Sequence, residues 1–181
     1  MTIAQEKKEE NIVEYIIYLW QMEDLMRAAK FDLTAIRAFL DASGDSIDMD
    51  GELEWFAQLG KQMDSQGLIQ KGHVGEVGEL LIELSYLHQT LIAITKNEDY
   101  IKAFGEAEPN LTAFMERAGN KGMNPVEASI TALYGLLNLR LKKQEISPVT
   151  MGAMKSFQLM MGLLAAHYKK MKAGDMNVSL N

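Results

Sequence analysis

Residues 11–30 read NIVEYIIYLWQMEDLMRAAK, and this run decides the fold class. Wound at about 100° per residue, it places Ile12, Ile16, Leu19 and Trp20 on one side, widened by Val13 and Ile17. A rod so apolar over much of its circumference needs other rods to cover it. Three charged residues share or flank the stripe: Glu23 and Arg27 stand four apart with the acid first, and Asp24 lies beside Val13 and Ile17. Three readings follow. The charges close the helix end at the surface, or they form a buried pair that fixes register, or Glu23, Asp24 and Arg27 line a pocket for a small polar ligand or a partner's charged group.

Outward from this helix the pattern stays helical. Asp32 is placed to cap a helix over 33–42, with Ile36, Phe39 and Leu40 inward. Leu53, Phe56, Leu59 and Met63 mark a helix over 52–65 that Gly67 ends, and Val74, Val77, Leu81, Leu84, Leu91 and Ile92 mark a long one over 73–95. Gly75, Gly78 and Ser85 share a flank of that helix and suggest close approach by a neighbour. Tyr100, Ile101 and Phe104 suggest one or two turns, and Pro109 opens a further short helix with Leu111, Phe114 and Met115 inward. Asn124 and Pro125 start a helix to Lys143 with Val126, Ile130, Leu133, Leu137 and Leu141 on one face. Ser147 and Pro148 start the last, rich in methionine, through about Lys172. No period-2 alternation framed by turns occurs, so no strand is expected.

The expectation is an all-α, compact antiparallel helical bundle of about six to eight helices. It forms a single domain over residues 1–173, with its core supplied by the first, fourth, sixth and last helices and a loose tail over 174–181. The length fits one domain of about 100 to 200 residues.

The chemistry-bearing patterns that the residues approach fail on spacing. In SGDSIDMDG (43–51), a calcium-loop register begun at Asp45 puts Ile47 and Met49 at the third and fifth positions, and one begun at Asp48 puts Leu59 at the twelfth. Glu76, Glu79 and Glu83 align at i, i+3 and i+7, yet His88 is not in the Glu-x-x-His relation that di-iron bundles use; a solvated acidic stripe is the expectation, and His88 is expected in the core. No nucleophile elbow, phosphate loop or zinc motif appears. No metal site and no cofactor is therefore expected.

Twenty-five acids against 18 bases give a net charge of -7, which disfavours nucleic acid as a partner because phosphate neutralisation dominates such binding. The absence of cysteine excludes disulfides and thiolate chemistry. The opening residues MTIAQEKKEE are polar where a secretory signal carries an apolar core, and the apolar window 157–168 is short for a span of about 20 residues, so a cytoplasmic protein without membrane contact is expected.

The run AQEKKEENIVEYIIYLWQMEDLMRA (4–28), with Glu14-Tyr15, Trp20-Gln21 and Glu23-Asp24-Leu25 in order, resembles the N-terminal signature of a bacterial family of about this length. That family is catalogued as a domain of unknown function and found mainly in Bacteroides-type anaerobes. The resemblance implies an all-helical bacterial protein and transfers no activity and no functional residue. The function expected is that of a non-catalytic cytoplasmic interaction protein, a homo-oligomer or the partner of another protein through its methionine-rich last helix. The alternative is a small polar-ligand binder or enzyme with its site at Glu23, Asp24 and Arg27.

Overall fold

The computed structural model describes residues 1–43 and 48–175. Among them are eight α-helices and no strand, so the chain is all-α. The helices are α1 (Ile3–Glu10), α2 (Ile12–Ala28), α3 (Leu33–Ser43), α4 (Met49–Ser65), α5 (Gly75–Gln89, continued by a π-helical turn over Thr90–Ile94), α6 (Glu98–Arg117), α7 (Pro125–Leu141) and α8 (Pro148–Lys172).

Most starts are fixed by a short polar side chain that accepts from a backbone N–H left free in the first turn. Asn11 closes α1 and opens α2, accepting from the N–H groups of Val13 and Glu14. Asp48, Asn97, Asn124 and Ser147 do the same for α4, α6, α7 and α8, the last two with proline next in line. Thr2 and Gln5 satisfy each other's backbone at the start of α1.

The chain divides into two compact units, Met1–Glu79 and Leu80–Asn181, with the boundary inside α5. In the first, α2 packs against α1 and α4, and α3 against α4. Ile16, Met26, Ile36, Phe56 and Met63 are its fully buried side chains of greatest consequence. In the second, α8 packs on both α6 and α7, and α6 on α7. Its core gathers Phe157, Met160 and Leu164 from α8 with Tyr100 and Leu111 of α6 and Ile130 of α7.

Several local expectations change. The charged N-terminal segment forms α1, whose first N–H, that of Ile3, donates to the buried carboxylate of Glu52 at 2.6 Å. Phe39 is exposed while Ile36 and Leu40 are buried, because the i, i+4 pair already fills the narrow inward stripe of α3. Pro109 does not open a helix but lies inside α6; Ala103, Ala107 and Leu111 bury one continuous face across it, and that packing outweighs the missing hydrogen bond. On α7 the inward line runs through Leu133 and Leu136, leaving Leu141 exposed. A side chain at Gly78 would meet nothing within 4 Å, so among the described residues no helix approaches closely there. On α8, Met154, Met160 and Met161 are buried and Met151 and Met171 half-buried, while Val149 and Leu159 face outward. Two helical segments, Gly75–Ile94 and Pro148–Lys172, are long and apolar enough to cross a membrane by length and composition alone. Asp45 of the rejected calcium loop lies outside the described residues, as does the tail beyond Asp175.

His88 sits in the core as expected, with its Nδ1 2.8 Å from the Tyr100 hydroxyl and the rings of Tyr100 and Phe104 edge-on to it. Burial holds its pKa below the ordinary 6.5 and pushes the Tyr100 phenol up, so a neutral imidazole accepts a hydrogen bond from the protonated phenol. As pH falls below about 6.5 the unfolded chain takes up a proton that the folded chain refuses, and stability drops until the lowered folded pKa is passed. Urea unfolding between about pH 7.5 and 5 is expected to show this slope, and His88→Leu to make it shallower; the slope that remains includes His167, whose pKa burial and then Lys170 also lower. An unchanged slope in the variant would refute the assignment.

Candidate functional site

The polar cluster on α2 turns toward its own backbone. Glu23 is fully buried; one carboxylate oxygen accepts from the Val74 N–H at 2.8 Å and the other lies 2.6 Å from Nδ1 of His73. The His73 ring stacks on Trp20 at 4.5 Å, one turn before Glu23. Arg27 pairs with Asp24 at 2.9 Å rather than with Glu23, and its Nε and Nη2 donate to the backbone carbonyls of Leu68 and Gly72. The three residues are thus brought together as a clamp on the segment between α4 and α5. Their hydrogen-bonding capacity is largely spent on holding residues 68–74 against α2.

Other acids also find partners within a unit. Glu76 receives Lys8 and the Tyr15 hydroxyl, and burial followed by that carboxylate pushes the Tyr15 phenol far up. Glu83 receives Lys172 and the Tyr168 hydroxyl; the Lys172 hydrogen bond, then that of Tyr168, holds its carboxyl below the usual range. The acidic stripe of α5 is therefore split between two sets of contacts, and only Glu79 of the three is fully solvent-facing. Among the described residues, no three of His, Asp and Glu gather so as to hold a metal ion.

The concave site lies in the second unit, between α6, α7 and α8. It has a volume of about 430 Å³, inside the range of about 300 to 1,000 Å³ that small-molecule sites occupy. Its floor is Ala132, Leu136, Met154 and Phe157, all buried. The space exists because Ala113, Ala132, Gly135 and Ala153 stand where larger side chains would fill it; a side chain at Gly135 would meet nothing within 4 Å. A hollow of about 440 Å³ around Met26 in the first unit is shallower in kind, since Leu33, Lys61, Asp64 and Ile69 on its wall are exposed.

Four polar side chains reach the cavity wall. Thr131 donates to the Glu127 carbonyl and Thr150 accepts from Ser147, so both hydroxyls are engaged. Asn110 donates one amide hydrogen to Ser156 at 3.3 Å and keeps a second. Arg117, in the last turn of α6, forms no ion pair or hydrogen bond with any described residue. None of these lining residues entered the sequence reading as a site. The signal was present in Gly135 and Ala132 on an otherwise bulky helix, but small residues show a cavity only once their partner helices are known.

The family described as Domain of unknown function (DUF4924) matches residues 1–175. No curated protein matches the chain, and no solved structure does.

The clamp makes a quantitative expectation. Glu23→Ala leaves the buried Val74 N–H without its acceptor, and the part-exposed His73 ring without its partner, and is expected to cost about 2 kcal/mol; Glu23→Gln, which keeps one acceptor oxygen, costs less. Urea denaturation with hydrogen exchange at the Val74 amide measures both. A loss for Glu23→Ala within about 0.5 kcal/mol of zero, the range of ordinary surface changes, would show that the clamp is ornamental.

Proposed function

We propose, from the premise that this chain belongs to the family DUF4924, that it is a non-catalytic protein of the bacterial cytoplasm that acts by binding, and that the cavity between α6, α7 and α8 takes a small, mainly apolar molecule. The carrying observation is the cavity itself: a buried apolar floor, open space beside Gly135, and few polar groups on the wall. Such a composition suits retention better than bond-making, because no acid or histidine lines the wall to activate either threonine hydroxyl. Bacterial origin, and more narrowly a Bacteroides-type source, is supported by the likeness of residues 4–28; a sequence without cysteine is compatible with a reducing compartment.

A polar-ligand site at Glu23, Asp24 and Arg27 is less well supported, since those groups hold the α4–α5 segment. A second reading, self-association or a protein partner, is favoured by a separate observation: Ile82 and Tyr86, one turn apart on α5, are 72% and 70% exposed. The methionine-rich α8 adds Val149 and Leu159 to the apolar surface, while its buried methionines serve packing.

The two readings separate in experiment. Nile red, a neutral solvatochromic dye, is expected to bind saturably with one dye per chain, and Gly135→Leu, which gains helix propensity while occupying the cavity, to weaken that binding at least about tenfold with the helical fold intact. Dye binding that is absent or indifferent to Gly135→Leu removes the cavity reading. Light scattering tests the other: a dimer converted to monomer by Ile82→Glu with Tyr86→Glu supports association through α5, and a monomer at every concentration excludes self-association.

A further inference from the structure

We propose that the molecule held between α6, α7 and α8 is an amphipathic monocarboxylate, its apolar chain on the floor of the cavity and its carboxylate on Arg117 and Asn110. This inference rests on the cavity reading and deepens it by naming the ligand class.

The first support is charge. In a chain with 25 acids and 18 bases, the described wall of this cavity carries one arginine and no acid. Lys8, Arg27 and Lys172 pair with Glu76, Asp24 and Glu83, but Lys61, Lys102 and Lys155, like Arg117, form no ion pair with a described residue, so Arg117 is set apart by its place on the cavity wall. Arg117 has no such partner among the described residues, so its field at the mouth is uncompensated locally and favours an anion.

The second is geometry of donors. A guanidinium presents a planar fork of N–H groups that matches the two oxygens of a carboxylate, and Asn110 retains one amide hydrogen after serving Ser156. Arg117 and Asn110 therefore both have donor capacity to spare, beside the acceptor capacity left on Asn110 Oδ1 and the threonine hydroxyls. One cation answers one negative charge; a dianionic phosphate would keep a charge unmatched.

The third is the apolar remainder. Leu136, Met154 and Phe157 offer a buried surface without polar atoms, which a flexible aliphatic chain covers and a wholly polar anion cannot. A cation in the last turn of α6 also interacts favourably with the helix dipole, and that role alone would explain an arginine at this position without any ligand. The experiment decides between the two.

Octanoate, octan-1-ol, octylamine and octyl phosphate, matched in chain, are titrated by calorimetry against the wild-type protein, Arg117→Gln and Gly135→Leu. Octanoate is expected to bind at least about tenfold more tightly than octanol, with octylamine weakest and octyl phosphate no tighter than octanoate. Arg117→Gln is expected to bring octanoate down to the affinity of octanol while octanol itself is unchanged, and Arg117→Lys to restore part of the difference. Equal binding of octanoate and octanol, or an equal loss of both in Arg117→Gln, overturns the carboxylate assignment; if octanol is still lost in Gly135→Leu, the cavity reading survives that failure. If octanoate, octanol and Nile red all fail to bind, both fall together. Tighter octyl phosphate than octanoate overturns the monocarboxylate in favour of a phosphate ester.

Discussion

A carboxylate with no access to water sets the arrangement of the first unit. Glu23 can remain in the interior only because the Val74 N–H and the His73 ring meet it, and those two groups lie on a segment some fifty residues further along the chain. The cost of separating them ties the end of the α4–α5 connection to the middle of α2. Arg27, one turn later, holds the same connection by its carbonyls, so donors and acceptors of one loop are matched by a cation and an anion four residues apart. Trp20 completes the ladder by stacking on His73. Side chains at positions 20 to 27 therefore act as a register device, in which each turn of α2 grips a different part of one loop.

The second unit is built on the opposite economy. Its three long helices meet through large side chains at Phe157, Met160, Leu111 and Ile130, but at Ala113, Ala132, Gly135 and Ala153 they meet through almost none. Helices can pack closely at small residues, as many interfaces do; here the bulky neighbours keep the axes apart and the small residues open a space instead. Filling that space with leucine or phenylalanine would gain roughly 1 to 3 kcal/mol per side chain buried. The chain forgoes that gain on all three helices at one level.

Which parts of this were legible in the sequence follows from how far each signal reaches. Helix starts at Asn124-Pro125 and Ser147-Pro148 were visible because capping is settled within four residues, and the buried stripe of α2 was visible because periodicity is a property of one segment. Pro109 misled because its local effect on a helix is unfavourable, whereas the burial of Ala107 and Leu111 on either side of it is a tertiary fact. The clustering of Glu23, Asp24 and Arg27 could be read from α2 alone, but their partners could not: Leu68, Gly72, His73 and Val74 become neighbours only after the chain has turned twice. The cavity was hidden for the same reason in sharper form, since an alanine facing inward is indistinguishable in sequence from an alanine facing a void.

These two kinds of site respond differently to the surroundings. The Glu23 clamp is satisfied from within, so the stability it gives the first unit does not depend on any other molecule. The cavity between α6, α7 and α8 is open on one side, and a ligand that fills it binds the folded chain while the unfolded chain offers no equivalent surface. Occupancy then adds stability in proportion to the logarithm of ligand concentration, about 2.7 kcal/mol at a hundredfold excess over the dissociation constant. On the proposed reading, the ligand that completes the packing of this unit also sets its stability. The positions that weaken the empty form, Gly135 and the alanines around it, are the same positions that would make room for the proposed occupant, so the deficit in packing and the proposed capacity to bind have one physical origin.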